Sequence, residues 1–277
     1  SQGLNSAMEK LSTGMRINYA KDDAAGQAIS TRLSAEVQGL QIASRNAADA
    51  QSMIDTAEGA LQETHNVLLR MRELAVQSAN GTLTDGDRAH TDAEFDQLVA
   101  EVTRIAENTT WAGKSLLDGS VDGYAGDSGA TPPVPARPAL SFQVGEGANQ
   151  TISVEIDNMS AGSLGTATGT TGVALNAAGL DSATNAQTAI ISIDNAIDSV
   201  SKARGEMGAV SNRLSSTMSN LDQIAVNLSA SQGRIQDADF AQETGNLAKN
   251  QILQQAATAM IAQANASKSS VLTLVRG

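Results

Sequence analysis

The sequence predicts a mainly α-helical protein, an elongated antiparallel helical bundle or coiled coil with one β-hairpin and terminal helices. Three observations predict it. Between Leu40 and Ser78 the residues Leu40, Ala43, Ala47, Ala50, Ile54, Ala57, Leu61, Thr64, Leu68, Met71, Ala75 and Ser78 alternate in steps of three and four. That is the heptad seam of a helix lying along another helix. Second, 41% of residues are apolar but only 2% are aromatic, a composition that suits bundles built from Ala, Leu, Ile and Met. Third, an apolar helical period returns late in the chain, from Ala186 to Leu228, and supplies a partner for the first.

The Leu40–Ser78 stretch contains no proline, and its one interior glycine, Gly59, lies off the seam. As a helix it would run roughly 58 Å at about 1.5 Å per residue. That length points to a rod, and the alanines on the seam require close partners.

Upstream, Leu4, Met8 and Leu11 form a short helical stripe that stops at Gly14. An ordered connector follows, with Asp22 or Asp23 capping a short helix over about 24–37. The long helix ends near Asn80-Gly81. Thr84 or Asp85 then caps a new helix that Phe95, Leu98, Val102 and Ile105 line on one face. It fades by Asn108, giving a helical hairpin.

From Trp111 the character changes. Residues 118–139 form a loop that contains all four prolines. Leu140-Ser-Phe-Gln-Val and Ile152-Ser-Val-Glu-Ile each alternate apolar and polar residues around a Gly-rich turn, one β-hairpin over 140–156. A Ser, Thr, Gly and Ala loop over 160–180 precedes the returning helix. There Ala186, Ile190, Ile193, Ile197, Val200, Met207, Leu214, Met218 and Leu221 carry the period, with Arg204 and Ser211 expected to break the seam. Gly233 is read as an interruption, and a last helix covers about 237–274. Its stretch from Gln251 to Ser267 has no charged residue and is rich in Gln and Ala, so it needs close neighbours.

Composition excludes several functions. A net charge of −12 with no basic patch argues against nucleic acid and anionic membrane as partners. Without cysteine there are no disulfides and no thiolate metal sites. No apolar run approaches the roughly 20 residues that span a bilayer. Ser1-Gln2-Gly3-Leu4 does not read as a signal peptide, and with no initiator Met some native N-terminus is expected to be missing.

Few residues suggest chemistry. Asp85-Gly-Asp87-Arg-Ala-His90-Thr-Asp92-Ala-Glu94 is acidic, but its glycine is out of register for a calcium loop. It reads as an acidic helix N-terminus. His65 and His90 are the only histidines and form no His-Glu-x-x-His pair. Gly145-Glu-Gly lacks a surrounding βαβ unit and is a hairpin turn. No enzyme, cofactor or metal is expected.

Several blocks resemble bacterial flagellin. In the N-terminal half these are Glu9-Lys-Leu-Ser-Thr-Gly-Met-Arg-Ile-Asn18, Ala20-Lys-Asp-Asp-Ala-Ala-Gly-Gln-Ala-Ile29, Ala43-Ser-Arg-Asn-Ala47 and Arg72-Glu-Leu-Ala-Val-Gln-Ser-Ala-Asn80. In the C-terminal half they are Arg234-Ile-Gln-Asp-Ala-Asp-Phe240, Gln251-Ile-Leu-Gln-Gln-Ala256 and Ala262-Gln-Ala-Asn265. The resemblance implies a secreted, extracellular subunit that polymerises with itself into the flagellar filament for motility. It implies terminal helical regions at 1–23 and 236–277, and a helical rod domain at 24–117 and 140–235. Variable outer domains usually sit between the two halves in that family, but here the returning helix soon follows the hairpin at 140–156, so large outer domains are expected to be absent, and the start of the terminal helix is expected to be missing. An export chaperone and a filament cap are implied partners.

By the same resemblance Arg70, Leu74 and Glu94 match positions through which enteric flagellins engage the vertebrate innate receptor Toll-like receptor 5 (TLR5). Arg70 and Leu74 are spaced i, i+4 and are expected in one outward patch with Glu94. The structural alternative is that Leu74 packs between subunits and Arg70 pairs with an acid. Arg32, Glu36, Arg45, Asp49, Arg72 and Glu73 are candidate charged contacts between subunits. The alternatives to a filament subunit are the related hook–filament junction protein, and a cell-surface polymer-binding or host-binding homologue to which the Pro-rich loop would lend support.

Overall fold

The computed structural model describes residues 2–120, 139–166 and 172–276. Five helices dominate: α1 (Gln2–Thr13), α2 (Ala24–Ser78), α3 (Asp85–Asn108), α4 (Ala183–Gln236) and α5 (Phe240–Arg276). Two small antiparallel hairpins join them, β1–β2 (Thr110–Trp111 with Lys114–Ser115) and β3–β4 (Ala139–Gln143 with Thr151–Glu155). The chain divides into two compact units, one of residues 1–39 and 223–277, the other of residues 40–222.

In the larger unit every one of the twelve seam residues from Leu40 to Ser78 is buried. α4 runs antiparallel to this part of α2, as side-chain links along both helices show. Ser44 Oγ donates to Asp222, Gln51 Nε2 to Ser211 Oγ, and Arg204 lies 3.4 Å from Glu58. At the far end Arg72 Nε donates to Asp194 at 2.7 Å. The buried line on α4 is Ala186, Ala189, Ile193, Ala196, Val200, Ala203, Met207, Leu214 and Leu221, with Val210 partly buried. Arg204 and Ser211 therefore do not break the seam. They flank it, and Ala203 and Val210 hold its positions. Ile190 and Ile197 are only partly buried beside it. Alanines on the seam let the two backbones approach, and the larger seam residues, such as Ile54, Leu61, Ile193 and Val200, fill the space between them.

α3 packs on the same core through Phe95, Val102 and Ala106. Thr84 is its N-cap, in a reciprocal box: the Asp87 N–H donates to the Thr84 hydroxyl oxygen and the Thr84 N–H to the Asp87 carboxylate. The β3–β4 hairpin turns Ile152 and Val154 inward, and Ile156 follows them into the core. Asn46 Nδ2 donates to the Gln143 carbonyl and ties the hairpin to α2. The β1–β2 hairpin is absent from the sequence expectation. Its turn uses Ala112 at φ 50° and Gly113 at φ 81°, and an Ala in the left-handed region gives no Asn-Gly-like signal. The Pro-rich segment, 121–138, lies outside the described residues.

In the smaller unit α1 lies against the start of α5, with Gly3 near Asn250 and Lys10 Nζ 3.7 Å from Glu243. The connector after α1 pairs with the end of α4: Arg16 N donates to the Gln236 carbonyl and Ala238 N to the Gly14 carbonyl. Asp23 caps α2 by accepting from Gly26 N. Gly26 is required there, because a Cβ would lie 2.7 Å from Ile17 Cδ1.

Two boundaries differ from the sequence expectation. The short helix over 24–37 is not separate. Neither proline nor cap interrupts Gln38-Gly39, so α2 continues through it. Gly233 does not end α4, which reaches Gln236 with the Asp237 N–H still bonded to the Gly233 carbonyl. The stop lies at Asp239, which caps α5 through Ala241 N and Gln242 N.

Seam and flank respond oppositely to added carbon. Ala57→Leu overpacks a fully buried position and lowers stability by about 1–3 kcal/mol. Gly59→Ala adds a Cβ that meets nothing within 4 Å on an exposed helix face, and raises stability by about 0.5–1 kcal/mol. Chemical denaturation of the two variants checks both signs.

Candidate assembly interface

The α2–α3 pair positions the residues singled out above. Arg70 donates through Nε and Nη2 to Glu94 Oε1 at 3.0 and 2.8 Å, and through Nη1 to Glu73 at 2.9 Å. The paired carboxylates, Glu94 first, raise the guanidinium pKa above its ordinary value. Arg70 and Glu94 thus come together across two helices, fixed in relative position and half exposed.

Leu74 does not join them on the surface. It is 2% exposed and belongs to the core. Spacing of i, i+4 puts Arg70 and Leu74 on adjacent turns of one side of α2, but the Leu74 side chain is turned into the core while Arg70 stays half exposed. The exposed apolar residues here are Leu69 and Val76, the latter 50% exposed. With Arg72, Glu73 and Gln77 they line a shallow depression of about 530 Å³. Of the other charged candidates, Arg32 faces Glu36 at 3.7 Å, whereas Arg45 and Asp49 are exposed and make no ion pair among the described residues.

Sequence reasoning missed Arg88. It is almost fully buried and works as a C-terminal cap for α2 supplied by α3. Its Nε donates to the Ser78 carbonyl and its Nη2 to the Asn80 carbonyl, both at 3.0 Å, while Nη1 reaches Asp85. Carbonyls that a helix end leaves without partners are met by a cation, which also suits the helix dipole. The buried Ser78 hydroxyl donates to the Leu180 carbonyl, and Leu180 N donates to Asp92. The acidic start of α3 is therefore structural. Among the described residues no group of three His, Asp or Glu side chains could hold a metal.

A second surface lies on α5, in the smaller unit. Past Asn250, where α1 last meets it, every residue from Gln251 to Lys268 is exposed. Ile252 is 65% and Met260 70% exposed, and Leu253 and Ile261 are similar. No helix among the described residues is long and apolar enough to cross a membrane.

Comparison with known proteins fits a chain whose two ends pair with each other and whose middle forms a helical core. Residues 1–122 match the family model described as bacterial flagellin N-terminal helical region, and residues 190–275 match bacterial flagellin C-terminal helical region. Flagellin from Halalkalibacterium halodurans is 43% identical across 98% of this chain and 91% of its own length. The chain belongs to the bacterial flagellin family. Bacillus subtilis flagellin is also 43% identical, across 97% of the chain and 91% of its own length. A flagellar filament 33 kDa core protein from Treponema phagedenis is 41% identical over the same shares. Among solved structures, Bacillus cereus flagellin is 31% identical with a TM-score of 0.50, covering 68% of this chain and 94% of its own. A putative hook-associated protein from Vibrio parahaemolyticus, at 18% identity and a TM-score of 0.61 over 78% of this chain and all of its own, shares the fold.

Two substitutions test the α2–α3 assignments. Arg88→Met keeps the apolar stem but leaves carbonyls without a donor, and costs about 1–3 kcal/mol. The Thr84–Asp87 box predicts a pH signature. Hydrogen bonds from Thr84 hold the Asp87 carboxyl below its ordinary pKa. The folded state then binds fewer protons than the unfolded one, so this contribution is complete above the ordinary aspartate range. It is lost as pH falls through the depressed folded value. The stability gap between wild type and Thr84→Val therefore narrows on acidification, as denaturation across an acid pH series measures.

Proposed function

We propose that this flagellin works by packing rather than by bond chemistry. It is a structural subunit of the bacterial flagellar filament used for motility, and not an enzyme. What supports this reading is the family match at both ends of the chain, residues 1–122 and 190–275, together with an uncharged stretch of α5 whose large apolar side chains need a partner helix. Such a surface is poorly hydrated, and burying each Ile or Met against a neighbouring copy gains about 1.5–3 kcal/mol. Repeated head-to-tail contacts of one kind build an open helical polymer.

Polymerisation of the purified chain, followed by sedimentation and electron microscopy, tests this. Ile252→Lys and Met260→Lys are expected to leave the thermal unfolding of the monomer unchanged. Each raises the critical concentration at least about tenfold, the equivalent of 1.4 kcal/mol. Filaments formed equally well by both variants would sink the α5 reading.

Export from the cell, an export chaperone and a filament cap follow from the family resemblance and belong to this proposal. So does recognition by the innate receptor. There the geometry favours Arg70 and Glu94 as the presented groups, with Leu74 holding α2 in place beneath them. In a receptor reporter assay Arg70→Ala and Glu94→Ala are expected to weaken signalling while the fold survives. Leu74→Ala acts through the core and lowers stability by about 2–5 kcal/mol. Undiminished signalling from Arg70→Ala removes the receptor assignment and leaves the filament reading intact.

A further inference from the structure

We propose that Asn80 is a site of spontaneous covalent modification, in which it cyclises onto the Gly81 nitrogen and opens to isoaspartate at the α2–α3 turn. Asn80-Gly81 is the one Asn-Gly pair in the chain, and the turn presents it for reaction. Asn80 is exposed and lies two residues past the end of α2. Its Oδ1 accepts from Thr82 N at 3.2 Å. That bond folds the side-chain carbonyl back over the Gly81 peptide and polarises it toward attack. Gly81 lies in open space, and nothing among the described residues accepts its N–H. The Asp85-Gly86 pair, by contrast, is held inside α3.

The reaction needs only water. Solvent base takes the Gly81 amide proton, and the nitrogen attacks Asn80 Cγ. The N–Cγ bond forms, the Cγ–Nδ2 bond breaks, and Nδ2 leaves as ammonia carrying a proton. Water then opens the cyclic imide at either carbonyl. Opening at Cγ gives aspartate. Opening at the former backbone carbonyl gives isoaspartate, with the chain rerouted through Cβ and Cγ and the old main-chain carbonyl left as a carboxylate.

That carbonyl is the oxygen that Arg88 Nη2 already meets at 3.0 Å. The isoaspartate carboxylate is therefore formed beside a buried guanidinium and gains a charge-assisted bond. The turn loses a neutral acceptor and gains one methylene and one negative charge. Away from Arg88 that charge would oppose the negative end of the α2 dipole.

The test ages purified full-length chain in mildly alkaline buffer, folded and in urea, and maps peptides by electron-transfer fragmentation with isoaspartyl methyltransferase labelling. In the folded chain Asn80 is expected to convert at least about tenfold faster than Asn149 or Asn158, with isoaspartate the main product. Gly81→Ala fits the open space and folds, and slows conversion about tenfold by restricting approach of the nitrogen. Equal rates at the three asparagines, or no effect of Gly81→Ala, would overturn the proposal. So would conversion in urea with none in the folded chain, which would mean that the turn protects Asn80.

Discussion

Close approach of α2 and α4 along their alanine seams is the constraint from which the larger unit follows. A bundle gains stability in proportion to the apolar area it removes from water. Alanines contribute little area themselves, but they let the large side chains between them on the seams reach across. Met53, Ile54, Leu61, Leu68 and Met71 on α2 are thereby buried with Ile193, Val200, Met207 and Leu214 on α4. Substituting bulk for those alanines would separate the helices and uncover the large side chains between them. The polar links Gln51–Ser211 and Arg72–Asp194 add register more than energy, since exposed pairs contribute little on their own.

The other elements close the sides that two helices leave open. α3 supplies Phe95 and Val102, Leu116 and Leu117 follow the β1–β2 turn inward, and β4 adds Ile152 and Val154. A hairpin of five-residue strands is marginal in water and persists here as one wall of a core. Closure creates a polar problem at the end of α2, where carbonyls would be buried without donors. Arg88 and the Ser78 hydroxyl solve it from neighbouring segments. The same solution sets up the reactive turn, because Arg88 fixes the Asn80 carbonyl while Gly81 stays free.

Periodicity made α2 legible in the sequence because Leu40–Ser78 repeats without a slip, and each of its positions is buried. α4 was half legible. Reading by large side chains chose Ile190 and Ile197 and took Arg204 and Ser211 for breaks, because it passed over Ala189, Ala196 and Ala203, which hold the seam there. Arg88 was invisible for another reason. Its partners are main-chain carbonyls, which carry no side-chain signature. Leu74 shows the limit of spacing arguments: i, i+4 placed it beside Arg70 correctly, but only the packing of the core around α2 decides which of the two faces water.

The two units treat apolar surface in opposite ways, and that contrast bears on assembly. In residues 40–222 nearly every large apolar side chain on the seams is satisfied within the chain, and the exposed remainder, such as Leu69 and Val76, is interleaved with charge. On α5 the large side chains face out along a run with no charge. The larger unit buries its own seams, while α5 carries an uncharged apolar run along Gln251–Ser267 that calls for a partner helix. The net charge of −12 is carried elsewhere. Screening by salt therefore acts on the charged segments, and apolar burial of Gln251–Ser267 against a partner helix would not be weakened by it.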